Sequence, residues 1–111
     1  MSYDLLDPQM EAIFDALGDR TRRLIVKRLE GGPLPVVDIA RDMPVARPAI
    51  SQHLQVLKAA GLVVDRPAGN RRIYALDPEG LVELRRFIES FWEDALTRFA
   101  RFAEKGIEPT Q

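Results

Sequence analysis

Residues 44–64, PVARPAISQHLQVLKAAGLVV, decide how this chain folds. Pro44 marks a turn, and from Arg47 the chain reads as a helix over about 47–60. Ile50, Leu54 and Leu57 recur at the i, i+4, i+7 spacing of a buried stripe, while Arg47, Ser51, Gln52 and His53 crowd its front turn. Ala60–Gly61 ends the helix, and Leu62-Val63-Val64 turns β-like. Ala46 stands where a Ser, Thr or Asp cap is expected, a loss of roughly 1 kcal/mol of helix stability. Pro48 in the first turn partly compensates by presetting φ.

Downstream, LVVDRP, AGN and RRIYAL read as a hairpin over about 63–76, with Gly69-Asn70 supplying the positive φ of a tight turn. Upstream, Val36 to Asp42 forms a short third helix with Val36, Ile39 and Ala40 as core positions, barred on its N-terminal side by Pro33 and Pro35. Two helices joined by a short turn, followed by a basic hairpin, make a winged helix-turn-helix, whose second helix docks in the DNA major groove. Arg suits guanine and Gln suits adenine, each worth roughly 1–3 kcal/mol of discrimination when bidentate. Arg47, Pro48, Ser51, Gln52 and His53 on the helix, with Arg66, Asn70, Arg71 and Arg72 on the wing, are therefore the candidate DNA-binding residues. Arg47, Ser51 and Gln52 are the strongest candidates for base edges.

Working outward, a first helix runs from Pro8, capped by Asp7, to Leu17, where Gly18 ends it; Met10, Ile13, Phe14 and Leu17 form its apolar face. A second starts at the Asp19 cap, turns Leu24, Ile25 and Leu29 inward, and closes at Gly31-Gly32. Its arginines are expected to reach phosphate or to pair with the acidic N-terminal segment. Asp77 with Pro78 starts a last helix over about 78–104, before a frayed tail, KGIEPTQ. That helix would be about 40 Å long, more than a domain this small can cover. It carries four of the five phenylalanines and the one tryptophan. The surplus apolar surface calls for a second copy, and a two-fold dimer is the simplest provider. Met10, Phe14, Leu84, Phe87, Ile88, Phe91, Trp92, Ala95, Leu96 and Phe99 are the candidate dimer residues.

The 111 residues suit a single domain, with a core over about 8–76 and a dimerisation helix behind it. The net charge of −1 is segregated: residues 19–76 hold eleven bases against five acids, a balance of +6, and the flanks are acidic. Polyanion binding depends on that local field rather than on the total. No apolar run approaches a membrane span, and MSYDLLDPQM lacks a basic leader region. The absence of cysteine fits a reducing cytoplasm.

The stretches LGDRTRRLIVKRL, SQHLQVLKAAGLV and GNRRIYAL, with the long last helix, resemble ArsR/SmtB-type transcriptional regulators over roughly residues 8–103. The resemblance implies a mostly α fold of about five helices with a small β-hairpin wing, dimerising through terminal helices, that represses transcription from a two-fold operator. Metal-sensing relatives place cysteines on the third helix, or histidines and carboxylates on the last. Here the third reads VVDIARDM and the last has no histidine or cysteine, so no metal site and no cofactor carry over. FWEDALTRFARF is similar to the subgroup without metal sites. His53 is the single histidine and lacks metal-binding partners; it is read as bonding locally or touching phosphate. Ser51 and His53 point in different directions on the helix, which disfavours an enzyme. The alternatives are a winged-helix adaptor for protein contact, and a regulator gated by a small-molecule effector in the aromatic dimer interface.

Overall fold

The structure is a computed structural model and describes residues 7–104. Five helices and three strands follow in the order α1 (Pro8–Leu17), α2 (Arg20–Leu29), β1 (Leu34–Pro35), α3 (Val36–Ala40), α4 (Arg47–Ala59), β2 (Val63–Ala68), β3 (Arg71–Leu76) and α5 (Pro78–Glu104). The tail read as frayed lies outside the described residues. The caps are as expected: the Asp7 carboxylate accepts from the Met10 amide at 2.8 Å, and Asp19 from the Arg22 amide at 3.0 Å. Each satisfies an amide that a helix start leaves unpaired. No side chain caps Ala46.

The largest fully buried side chains are Ile13, Ile25, Ile39, Ile50, Leu54, Leu57, Leu62 and Val63, contributed by every helix except α5, by the corner after α4 and by the start of β2. That corner is a Schellman turn: the Gly61 amide donates to Lys58 O and the Leu62 amide to Leu57 O, both at 3.0 Å. Gly61 takes φ +84°, a conformation open to glycine and costly for other residues.

Three expectations are corrected. Leu34–Pro35 adds a third strand: β1 pairs antiparallel with β3, giving the order β1-β3-β2. A two-residue edge strand containing proline carries no alternation to read. The third helix stops at Ala40 rather than Asp42, because Arg41 is extended and Asp42 turns left-handed at φ 61° to aim the chain into α4. Gly18 closes α1 as expected, at φ −70°. On α1, Ala16 is buried, whereas Phe14 remains 38% exposed and meets Phe87 of α5 edge-on, with ring centroids 5.2 Å apart.

The first turns of α5 pack on this core through Leu81, Leu84 and Phe87, while every described residue from Ile88 onward is exposed. The molecule therefore measures 63 × 29 × 22 Å, with a Cα radius of gyration of 18.4 Å. A compact chain of this length would have about 13 Å.

Candidate nucleic-acid interface

At about 100° per residue, the buried stripe of α4 divides the rest of the helix into three strips. Opposite the core lie Pro48, Gln52, Gln55 and Ala59, all exposed. Gln55 was missed in the sequence reading; its position three residues after Gln52, on the same stripe, was the available signal. Arg47, Ser51 and Lys58 form the strip toward the wing, with Arg47 exposed and Ser51 half-buried. His53 lies on the third strip and is turned toward α2. Its Nδ1 is 3.3 Å from Arg22 Nη1 and 3.9 Å from Asp19 Oδ2, and the side chain is 21% exposed. Of the two readings of His53, local bonding is the one the structure shows: one residue past Gln52, the helix has already rotated it toward the interior.

The wing is a two-residue hairpin, with Ala68 paired to Arg71 and Gly69 at φ +65° between them. Its pleat divides the arginines that the sequence groups together. Arg72 shares a face with Asp65 and the buried Tyr74, while Arg66 and Arg71 lie on the other. Arg47, Asn70, Arg71 and Arg72 nevertheless line one cleft between the front of α4, the wing and Pro35–Val37. Arg66 does not line it.

Asp65 joins wing to helix. Its side chain is only 6% exposed, with Oδ1 at 2.8 Å from Lys58 Nζ and Oδ2 at 2.7 Å from Arg72 Nε. The hydrogen bonds from Lys58 and then Arg72 hold its carboxyl below the usual aspartate range, against the opposing effect of burial. A depressed folded pKa stabilises fully above the unfolded value near ~3.9, and the contribution is lost as pH falls through the folded value. Asp65→Asn should therefore lower the melting temperature at pH 7, and the gap to wild type should close progressively below about pH 4. Thermal melts across pH 2–7 check this; a gap independent of pH would assign the loss to shape rather than charge.

Three of the α2 arginines donate to backbone carbonyls. Arg22 Nε donates to Ala16 O at 2.7 Å and Arg23 Nη1 to Leu17 O at 2.8 Å, satisfying the last carbonyls of α1. Arg28 Nη1 donates to Ile39 O at 3.0 Å and also to Arg41 O, clamping the turn between α3 and α4. Three cations are thus committed to holding helix ends in place.

Of the candidate dimer residues, Met10 is corrected: it is 6% exposed and belongs to the protomer's own core. Leu84 and Phe87 are half-buried against that core. Ile88, Phe91, Trp92, Leu96 and Phe99 are each more than half exposed, and Phe102 is 47% exposed. With Ala95 they occupy an arc of ~140° on one side of α5. Among the described residues, no group of three or more His, Cys, Asp or Glu could hold a metal ion, and no helix is long and apolar enough to cross a membrane.

A helix-turn-helix whose second helix leads directly into a basic β-hairpin defines a winged helix-turn-helix protein. Residues 19–64, from the cap of α2 into the first residues of β2, match the family described as "Bacterial regulatory protein, arsR family". The HTH-type transcriptional regulator Rv2034 of Mycobacterium tuberculosis is 58% identical over 97 residues, covering 87% of this chain and 91% of that protein. The transcriptional repressor SdpR of Bacillus subtilis is 38% identical over 97 residues, covering 87% and 96%. A solution structure of the homodimeric winged helix-turn-helix DNA-binding domain of Mb0332 from Mycobacterium bovis aligns with TM-score 0.63 at 28% identity, covering 81% of this chain and 83% of that one. The chain belongs to the ArsR family of helix-turn-helix transcriptional regulators.

Proposed function

We propose that two copies of this chain pair through α5 and bind a two-fold symmetric operator in the cytoplasm, repressing transcription from it. In this reading residues of about 8–76 form the DNA-binding body and about 78–104 the dimerisation helix. Arg47, Gln52 and Gln55 read base edges, with Ser51 and Pro48 beside them, while Asn70, Arg71, Arg72 and Arg66 hold the flanking backbone. The observation that carries the proposal is the shared cleft, which sets Arg47 at the front of α4 against three polar wing residues, as a duplex entering both would require. Support for pairing comes from the exposed apolar arc of α5 and from the homodimeric state of the Mycobacterium bovis relative. Support for repression comes from the likeness to a named repressor.

The test is a binding selection from a random duplex pool, followed by salt titration on the selected site. A symmetric site with half-sites about 34 Å apart, bound with affinity that falls steeply with salt, is expected. Salt-insensitive binding with no motif would move the protein-contact reading to the front. On the selected site, Arg47→Ala should lose about 1–3 kcal/mol and relax one base position, leaving random-sequence affinity nearly unchanged. Arg71→Ala should weaken all duplexes alike and reduce the salt slope by about 1. Equal losses on both kinds of duplex for Arg47→Ala would remove it from the base-reading set.

A further inference from the structure

The link between α4 and the wing is short, and one carboxylate spans it. Only Ala60, Gly61 and Leu62 separate the end of α4 from β2, so the wing hangs from the recognition helix by its first strand. Asp65, near the start of that strand, accepts from Lys58 in the last turn of α4 on one oxygen and from Arg72 of β3 on the other. Each oxygen of a side chain only 6% exposed thus holds one cation from a different element. The wing tip at Gly69 lies four residues beyond Asp65, a reach of roughly 13 Å at about 3.3 Å per residue. A tilt of about 10° at the hinge would carry the tip by about 2 Å, which is enough to break a hydrogen bond.

We propose that Asp65 is a positioning residue for operator discrimination, locking the wing to the recognition helix so that both meet the duplex in one fixed register. The same carboxylate offsets one of the two cations it holds and so restrains sequence-independent attraction to phosphate. This inference rests on the operator-binding reading of the shared cleft, and it assigns to one acidic residue a role opposite in sign to that of the wing arginines. Loss of Asp65 should weaken selected binding while strengthening random binding. A simple gain of charge would strengthen both, and a simple loss of stability would leave their ratio unchanged below the melting temperature.

The experiment is fluorescence anisotropy on the full chain, using the selected duplex and a random-sequence duplex of equal length. Wild type, Asp65→Asn and Lys58→Met are compared at a temperature where each is folded by circular dichroism. Lys58→Met cuts the tether but keeps the Asp65–Arg72 pair and removes a positive charge rather than exposing one. Both variants should lower the ratio of selected to random affinity about tenfold, the scale of one lost base-pair preference. Asp65→Asn should also bind the random duplex more tightly and with a steeper salt slope; Lys58→Met should not. A ratio within about twofold of wild type in either folded variant overturns the proposal. If Asp65→Asn does not fold, the half-exposed Lys58→Met decides alone. A wild-type chain that does not discriminate would instead remove the operator reading on which the proposal stands.

Discussion

Gly80→Ala should destabilise the protein by about 2 kcal/mol or more, although the same change in an ordinary helix stabilises it by roughly 0.5–1 kcal/mol. Gly80 lies in the first turn of α5, buried against the corner that ends α4. A Cβ there would stand 1.9 Å from Gly61 O, 2.8 Å from Gly61 C and 3.4 Å from Leu62 Cα. All three are backbone atoms of a turn already fixed by its own hydrogen bonds, so no side chain can swing away. The Asp77 amide donates to Leu62 O at 2.8 Å in the same seat. Relief therefore requires α5 to lift off the corner, and overpacking of this kind costs more than helix propensity returns. At about 4–8 °C per kcal/mol, the melting temperature should fall by roughly 10 °C, measured at constant protein concentration. An unchanged or raised melting temperature would contradict the close approach. Because α5 leaves the domain from this seat, the variant should also bind the selected operator more weakly than its stability alone accounts for.

If two copies pair through α5 as proposed, Phe99→Glu should leave a monomer and with it abolish tight operator binding. Phe99 lies near the middle of the exposed arc, between Trp92, Ala95 and Phe102, and is 54% exposed in the single chain. Two-fold symmetry places the new carboxylate in the interface twice, so each dimer loses two aromatic contacts and must desolvate two charges. Central aromatic anchors are worth about 2–4 kcal/mol each, and the pair of changes should raise the dimer dissociation constant by at least about a thousandfold. Sedimentation velocity reads the outcome directly, and Trp92, on the same face, reports it through a red-shifted emission on exposure to water. Operator affinity should fall with the dimer, since a monomer engages one half-site, while the far-UV spectrum stays that of a folded helical protein. A stable dimer in this variant would move the partner surface away from α5.

The reading from sequence was strongest where the signal is local. The caps at Asp7 and Asp19, the apolar periods of α1, α2 and α4, and the positive φ at Gly69 all depend on residues a few positions apart. Even the weak start of α4 at Ala46 was legible, because capping is decided by one side chain and its own next turn. Arg47 and Gln52 could be singled out for the same reason, since helical spacing says which side chains share a face, and the wing arginines because they flank the turn at Gly69-Asn70.

What the sequence could not hold is which surface each face meets, since that depends on residues far apart along the chain. Arg22, Arg23 and Arg28 look like any cationic face until folding brings the carbonyls of α1 and of the α3 turn beneath them. Met10 and Phe14 are both apolar and one helical turn apart, yet only the packed core separates the buried one from the exposed one. Gly80 reads as a defect in a helix until Gly61 O is found against it. His53 and Asp65 acquired their partners in the same way, one turned onto Asp19 and Arg22, the other set between Lys58 and Arg72. Local propensity and periodicity, acting over a single turn or strand, determined the elements and the class of protein. Burial and charge pairing, which act only once distant segments touch, decided which polar residues stay exposed around the cleft and which hold the protein together.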